Sequence, residues 1–406
     1  MKTRSTTIWI PLMSLALLFS LLYLGYVLLP GHIRPEAIQY FGLEQVQQGQ
    51  DYSKGMRISY ILSFMFQALF LIWFLASGRG GRLSQWCEDR YQSNPWRSYL
   101  VFYLIIWVML ALILLPFMFF SGFYWQHLWE FSTQTFGSWW VDYLKQSIID
   151  IVLGGVGVVL IFLSFHIWPR IWWIICGVFF SLWLVIQSIL WPILIAPMFN
   201  QFRPIDDPII TGMVYELADK ADLEIKEILV MDASQRTTKA NAYFAGVGGT
   251  KRIVLYDNLL KQYSLAEIKA VIAHEMAHWQ KGHIARGLTL GILGNFLVWG
   301  VAYLVLRPYM SNRHIPPLIW AVLLLFILLT NFVSTPLQNS ISRQMEIEAD
   351  QTAVILTGDT EAAIHLQMNL ALKNRSDLSP PRFVEWLSYT HPSVLTRIEK
   401  IREVTE

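Results

Sequence analysis

The chain has 406 residues, of which 54% are hydrophobic and only 15% charged, and its formal net charge is +2. Soluble proteins carry about 25% charged residues, so this balance excludes a water-soluble globule, a disordered chain and a coiled coil. The small net charge leaves no electrostatic footprint for nucleic acid.

The charges are unevenly placed. Residues 1–200 carry 19 Asp, Glu, Lys and Arg, and residues 201–406 carry 41. This predicts an N-terminal membrane domain over 1–200 and a more water-facing domain over 201–406. A bilayer-spanning helix needs roughly 20 mostly apolar residues. Seven stretches meet that need: about 7–30, 58–77, 98–125, 147–168, 171–199, 286–306 and 317–338. Five lie in the first domain and two interrupt the second. Lys2 and Arg4 give the first stretch the look of a signal peptide, but its apolar run is too long and no small-x-small site follows. It is expected to be a retained span. The fourth and fifth are separated only by Trp168-Pro169-Arg170, a tight helical hairpin.

The polar residues inside these spans include Gln67, Asp150, Gln187, Asn295 and Asn331. Facing lipid they would be costly, so they either line an internal chamber or bond between helices. Residues 31–57 and 126–146 are polar connections. Cys87 lies in a polar loop and Cys176 in an apolar run, so no disulfide framework is expected.

The segment 201–285 differs in kind. Residues 208–222 have the pattern of an amphipathic helix and 226–233 that of a strand. Residues 241–248 and 251–257 suggest a β-hairpin around Gly248-Gly249-Thr250. Ser264 then opens Ser-Leu-Ala-Glu, a capping-box signature, and the helix after it is expected to run to about residue 285. Residues 339–406 are mostly helical and polar in pattern.

That capped helix holds His274-Glu275-Met276-Ala277-His278. Positions four apart share a helical face, so both imidazoles can meet one metal ion, and Zn²⁺ suits such ligands. Glu275 can reach the metal's open position and serve as general base. A third ligand is available downstream, where Glu346 and Asp350 are again four apart. Glu346 completes a His₂Glu set. Asp350 accepts the second N–H of a ligand imidazole, His274 by preference. Glu348 points away from both and is expected to be solvated. His283, five residues past His278, lies off the ligand face and is expected to be a loop residue. The exposed edge near Asn241, Ala242 and Tyr243 suits pairing with an extended peptide substrate.

H-E-x-x-H followed by E-x-x-x-D resembles the gluzincin arrangement. The wider chain resembles the type I CAAX prenyl endopeptidases, integral-membrane zinc proteases. The matching stretches are Asn241 to Phe244, Lys251 to Asp257, Ala273 to His278, Ser342-Arg343 through Asp350, and His391-Pro392-Ser393 with Arg397. The resemblance implies a mainly α fold: seven transmembrane helices enclosing a water-filled chamber, joined to a gluzincin-type domain with a small β-sheet. It implies one Zn²⁺ per chain held by His274, His278 and Glu346, with Glu275 as base. His391 and Arg397 match residues that contact substrate or the transition-state oxyanion.

The expected partners are a peptide or membrane-protein substrate and the lipid bilayer. The expected setting is the bacterial inner membrane, or the ER membrane in a eukaryote. Two other functions remain open: a quality-control protease of HtpX type, and a non-proteolytic membrane protein with a structural zinc. Short-loop charges place the N-terminus in the cytoplasm and 201–285 outside, whereas the resemblance places the zinc site on the cytoplasmic side.

Overall fold

The structure is a computed structural model and describes residues 3–29, 31, 33–245, 251–307 and 314–405. Seven helices are long and apolar enough to cross a membrane: Ile8–Leu28, Leu43–Ala76, Pro95–Leu128, Phe136–Ile167, Trp172–Met198, His283–Leu306 and Leu318–Thr357. Each of the seven expected spans coincides with one of them, overrunning a helix end by no more than two residues. Several run well past the apolar stretch. The second begins 15 residues before the expected span and absorbs most of the polar connection 31–57. Once nucleated, a helix adds each further residue cheaply, so it continues into water without a break.

The seventh shows this most clearly. It runs unbroken over 40 residues, Leu318–Thr357, which is about 60 Å at 1.5 Å per residue. Its apolar half packs against the first and second spans through Leu325, Leu329 and Phe332. Its polar half carries Glu346 and Asp350 out of the apolar layer. A single rigid rod therefore joins the membrane bundle to the site.

Other contacts lock the bundle. A Cβ on Gly177 would overlap the Phe296 ring, so glycine lets the fifth and sixth helices approach closely. There Asn295 Nδ2 donates to Gly177 O (2.8 Å) and Ser181 Oγ (2.9 Å). Gln67, Asp150 and Gln187 instead line a cavity of about 550 Å³ within the bundle. Asn331 is exposed. Chamber lining and interhelical bonding are thus divided among the other four, and the exposed Asn331 departs from the expectation.

Outside the bundle lies a four-stranded sheet of β1 (Phe202–Pro204), β2 (Glu227–Met231), β3 (Ala242–Ala245) and β4 (Arg252–Tyr256), in the order β1-β2-β4-β3. β2 and β4 are parallel, while β1 and β3 run antiparallel to their neighbours. β3 is an edge strand. The β3–β4 pairing agrees with the expected hairpin, whose turn at 248–250 lies outside the described residues. Alternation splits β3 between two faces. Ala242 and Phe244 face the core that includes Val214, Ile268 and Ile272, and Tyr243 packs on the other side with Met231 and Val254.

Ser264 caps the following helix as expected. Its Oγ accepts from Glu267 N, and Glu267 Oε2 accepts from Ser264 N at 2.8 Å. The helix spans Leu265–Gln280 and not the 21 residues foreseen. Gly282 takes φ +65° and ends it, and a new helix starts at His283. Only glycine adopts that left-handed conformation without strain.

Candidate active site

Three elements converge on the site: the capped helix Leu265–Gln280, the polar half of the seventh helix, and the C-terminal segment around residues 389–397. Helical spacing does the first part of the work. His274 and His278 stand on one face, with their Nε2 atoms 3.2 Å apart. Glu346 Oε2 lies 3.4 Å from His274 Nε2, and Glu346 Oε1 lies 3.5 Å from His278 Nε2. Four ligands held about 2 Å from a tetrahedral metal stand about 3.3 Å from one another. The triangle observed here fits that spacing. Glu346 Oε2 is also buried with no hydrogen-bond donor among the described residues. A buried carboxylate oxygen without a donor is costly, and a cation at the centre of the triangle would remove that cost. The residues fit zinc.

The surroundings set the charge. His274 Nδ1 lies 2.9 Å from Asp350 Oδ1. Arg397 grips the same carboxylate with two donors, Nε to Oδ2 at 2.7 Å and Nη2 to Oδ1 at 2.6 Å. Burial alone would lower the His274 imidazole, but Asp350 and Glu346 outweigh it and raise it to about 10. Burial and the neighbouring His274 push His278 down to about 4. Burial raises Glu275 to about 7, with His274 and Arg397 opposing. That value suits a group that must both take and return a proton near neutral pH. The backbone of Phe244, on the edge strand, also opposes that rise.

A cavity of about 500 Å³ opens on these groups. Its walls include Asn241 and Ala242 from the sheet edge, His274, Glu275 and Glu346, and His391 and Arg397 from the C-terminal segment. Tyr243 is not among them, since its side chain points to the far face of the sheet. His391 is largely exposed, with Nε2 3.4 Å from Glu346 Oε2. Arg397 is partly buried, with 12% of its side chain exposed, and is held beside His274 by its two bonds to Asp350.

Two features were not foreseen. His283 is buried at 4% exposure rather than a loop residue, and its Nδ1 sits 2.9 Å from His278 Nδ1. Glu348 is not simply solvated: it meets His283 Nε2 at 3.1 Å and Arg286 Nη1 at 3.0 Å. The signal was Lys281-Gly282, a helix stop that turns the chain back. Arg343 was quoted only as part of a motif. Its Nη1 donates to the carbonyls of Glu385 (3.0 Å) and Tyr389 (2.7 Å), which fixes the segment leading to His391.

Comparison with known proteins agrees with this geometry. Residues 204–405 match Peptidase family M48, and residues 25–201 match the five-membrane-helix N-terminal region of CAAX prenyl proteases. A CAAX prenyl protease 1 homolog from Arabidopsis thaliana is 32% identical over 71% of this chain and 69% of its own. The chain belongs to the M48 family of CAAX prenyl protease 1-like membrane zinc metalloproteases. An uncharacterized metalloprotease, YhfN, from Bacillus subtilis is 27% identical over 96% of both chains. The crystal structure of S. mikatae Ste24p superposes with a TM-score of 0.83, covering 96% of this chain and 97% of that one at 24% identity. The fold is shared along nearly the whole chain.

Proposed function

We propose that this protein is a membrane-embedded endopeptidase with one zinc ion per chain, cleaving membrane-associated or C-terminal peptides. The observation that carries this is the position of Glu275, which lines the same cavity as His274 and Glu346, two of the three candidate ligands. His274, His278 and Glu346 would hold the ion. When bound, zinc supplies Lewis acidity for attack on a peptide carbonyl.

The chain's own groups do the rest. β3 offers a free strand edge beside the cavity, which can hold an extended substrate through main-chain bonds near Asn241 and Ala242. Glu275 takes the proton of the attacking water and returns it to the leaving amine. His391, on the open wall, can donate to the oxygen that gains charge in the transition state. Arg397 contributes positive charge from beside His274, and its bonds to Asp350 orient that ligand. The spans before residue 200 and the catalytic half from 201 act as one unit in a bacterial inner membrane, with the site opening on the cytoplasmic side. A reporter fused to the C-terminus tests that side.

The relatives named as CAAX prenyl proteases suggest a C-terminal peptide substrate. Prenylation need not be part of its recognition. Comparison of protein N-termini in cells carrying wild type or Glu275→Gln tests the reading. The variant should keep its zinc and lose cleavage by at least about 100-fold, the usual worth of a general base. A chelator should abolish the wild-type activity. Substrates confined to misfolded membrane proteins would identify a quality-control protease instead. Undiminished cleavage by Glu275→Gln would sink the mechanism.

A further inference from the structure

The two ligand histidines are supported in different ways. His274 Nδ1 lies directly against Asp350. His278 has no carboxylate on its Nδ1. It has His283, whose Nδ1 is 2.9 Å away and whose Nε2 lies 3.1 Å from Glu348 Oε2. Glu348 in turn accepts from Arg286 Nη1 at 3.0 Å.

We propose that His283 and Glu348 are positioning residues forming a relay that fixes the tautomer of His278 for zinc binding. The proton count gives the direction. An Nδ1···Nδ1 contact holds one proton between two nitrogens. A ligand nitrogen must present a lone pair, so with Nε2 on the metal side the neutral His278 carries its proton on Nδ1. His278 Nδ1–H therefore donates to His283 Nδ1. His283 must then carry its own proton on Nε2, and that nitrogen faces the Glu348 carboxylate, an acceptor. Every link has one donor and one acceptor. Reversing the chain would leave His278 protonated on Nε2 and unable to bind a metal.

The fold supports the relay. Gly282 at φ +65° ends one helix and starts the next at His283, so the imidazole turns back beneath His278. Glu348 sits on the seventh helix two residues from both Glu346 and Asp350, about 200° around the axis from each, so it meets the relay from another face of the same helix. One rigid helix thus supplies a ligand, the carboxylate behind His274 and the carboxylate at the end of the relay. The relay runs from buried to exposed: the His283 side chain is 4% accessible, Glu348 36% and Arg286 48%.

The proposal rests on the zinc reading above but not on proteolysis. The test is zinc affinity of the purified full-length protein by chelator competition, with the visible spectrum of the Co²⁺-loaded form as a second readout. Removing such a partner of a ligand histidine typically weakens metal binding about 10–100-fold. His283→Phe keeps a ring but neither accepts nor donates, and should show that loss with an altered cobalt spectrum. His283→Gln can accept from His278 through its amide oxygen and donate to Glu348 through its amide nitrogen. It should restore affinity to within a few-fold of wild type. Glu348→Ala should fall between these, and Arg286→Gln should change little because an exposed ion pair is worth little.

Equal affinities across the series would overturn the relay. So would a folded His283→Gln that binds zinc as weakly as His283→Phe. No substrate enters the measurement, so zinc bound with nothing cleaved would defeat the peptidase reading alone.

Discussion

His274 sits between Asp350 and Glu346 with its imidazole raised to about 10. Without metal it therefore carries a proton at neutral pH, and that proton occupies the place in the electrostatics that zinc takes when bound. Ligand nitrogens must be deprotonated to bind. His278, lowered to about 4, has no proton to lose there. Zinc uptake at pH 7.5 should hence release at least one proton per ion, measured by calorimetry in buffers of different ionisation enthalpy. Affinity should fall as pH is lowered from 9 towards 6, because the proton competes better for His274. Release of no proton at pH 7.5 would contradict the arrangement. The ligands themselves were legible in the sequence because i, i+4 spacing on a helix is a property of the backbone alone. His283 was not, because its position depends on a change of direction at Gly282.

Elements place these residues, and the helix break is the most exposed to a single change. Nothing lies within 4 Å of a Cβ built at Gly282, so the cost of a side chain there is conformational only. Gly282→Ala should destabilise the protein by about 1 kcal/mol through the left-handed φ. Gly282→Asn should cost less, because Asn tolerates that region. Thermal unfolding in detergent compares the two; equal effects would place the cost elsewhere. The start of the catalytic helix was readable from Ser264 and Glu267, whose capping contacts are local. Its end was not, since a lone glycine in a helical pattern is ambiguous. The continuity of the seventh helix was hidden for another reason. Hydropathy drops after residue 338, and hydropathy reports the solvent around a helix rather than the helix itself.

At the scale of the molecule, the two halves of the chain meet at buried polar contacts that no local pattern could announce. Arg57, on the second span, pairs through Nη2 with Asp377 Oδ2 at 2.8 Å, with side-chain exposures of 10% and 1%. The same nitrogen donates to the Tyr389 hydroxyl, two residues before His391. Close by, a Cβ on Gly49 would collide with the backbone oxygen of Ser376. Tyr23 on the first span donates to Ser388 Oγ at 3.1 Å. The wall of the cavity from Asn374 to Ser393 is therefore held by helices more than 300 residues earlier in the chain. Arg57→Ala would leave Asp377 charged and buried, and loss of one partner from such a pair costs about 3–5 kcal/mol. Arg57→Lys keeps the charge but loses the forked donor set, so its cost should be smaller. The zinc ligands lie on other elements, so a purified Arg57→Lys protein should retain zinc while its thermal midpoint falls. Cleavage should fall further than zinc content, because the loosened wall carries His391. If Arg57→Ala unfolded at the wild-type temperature, the membrane half would be no more than an anchor for the catalytic half.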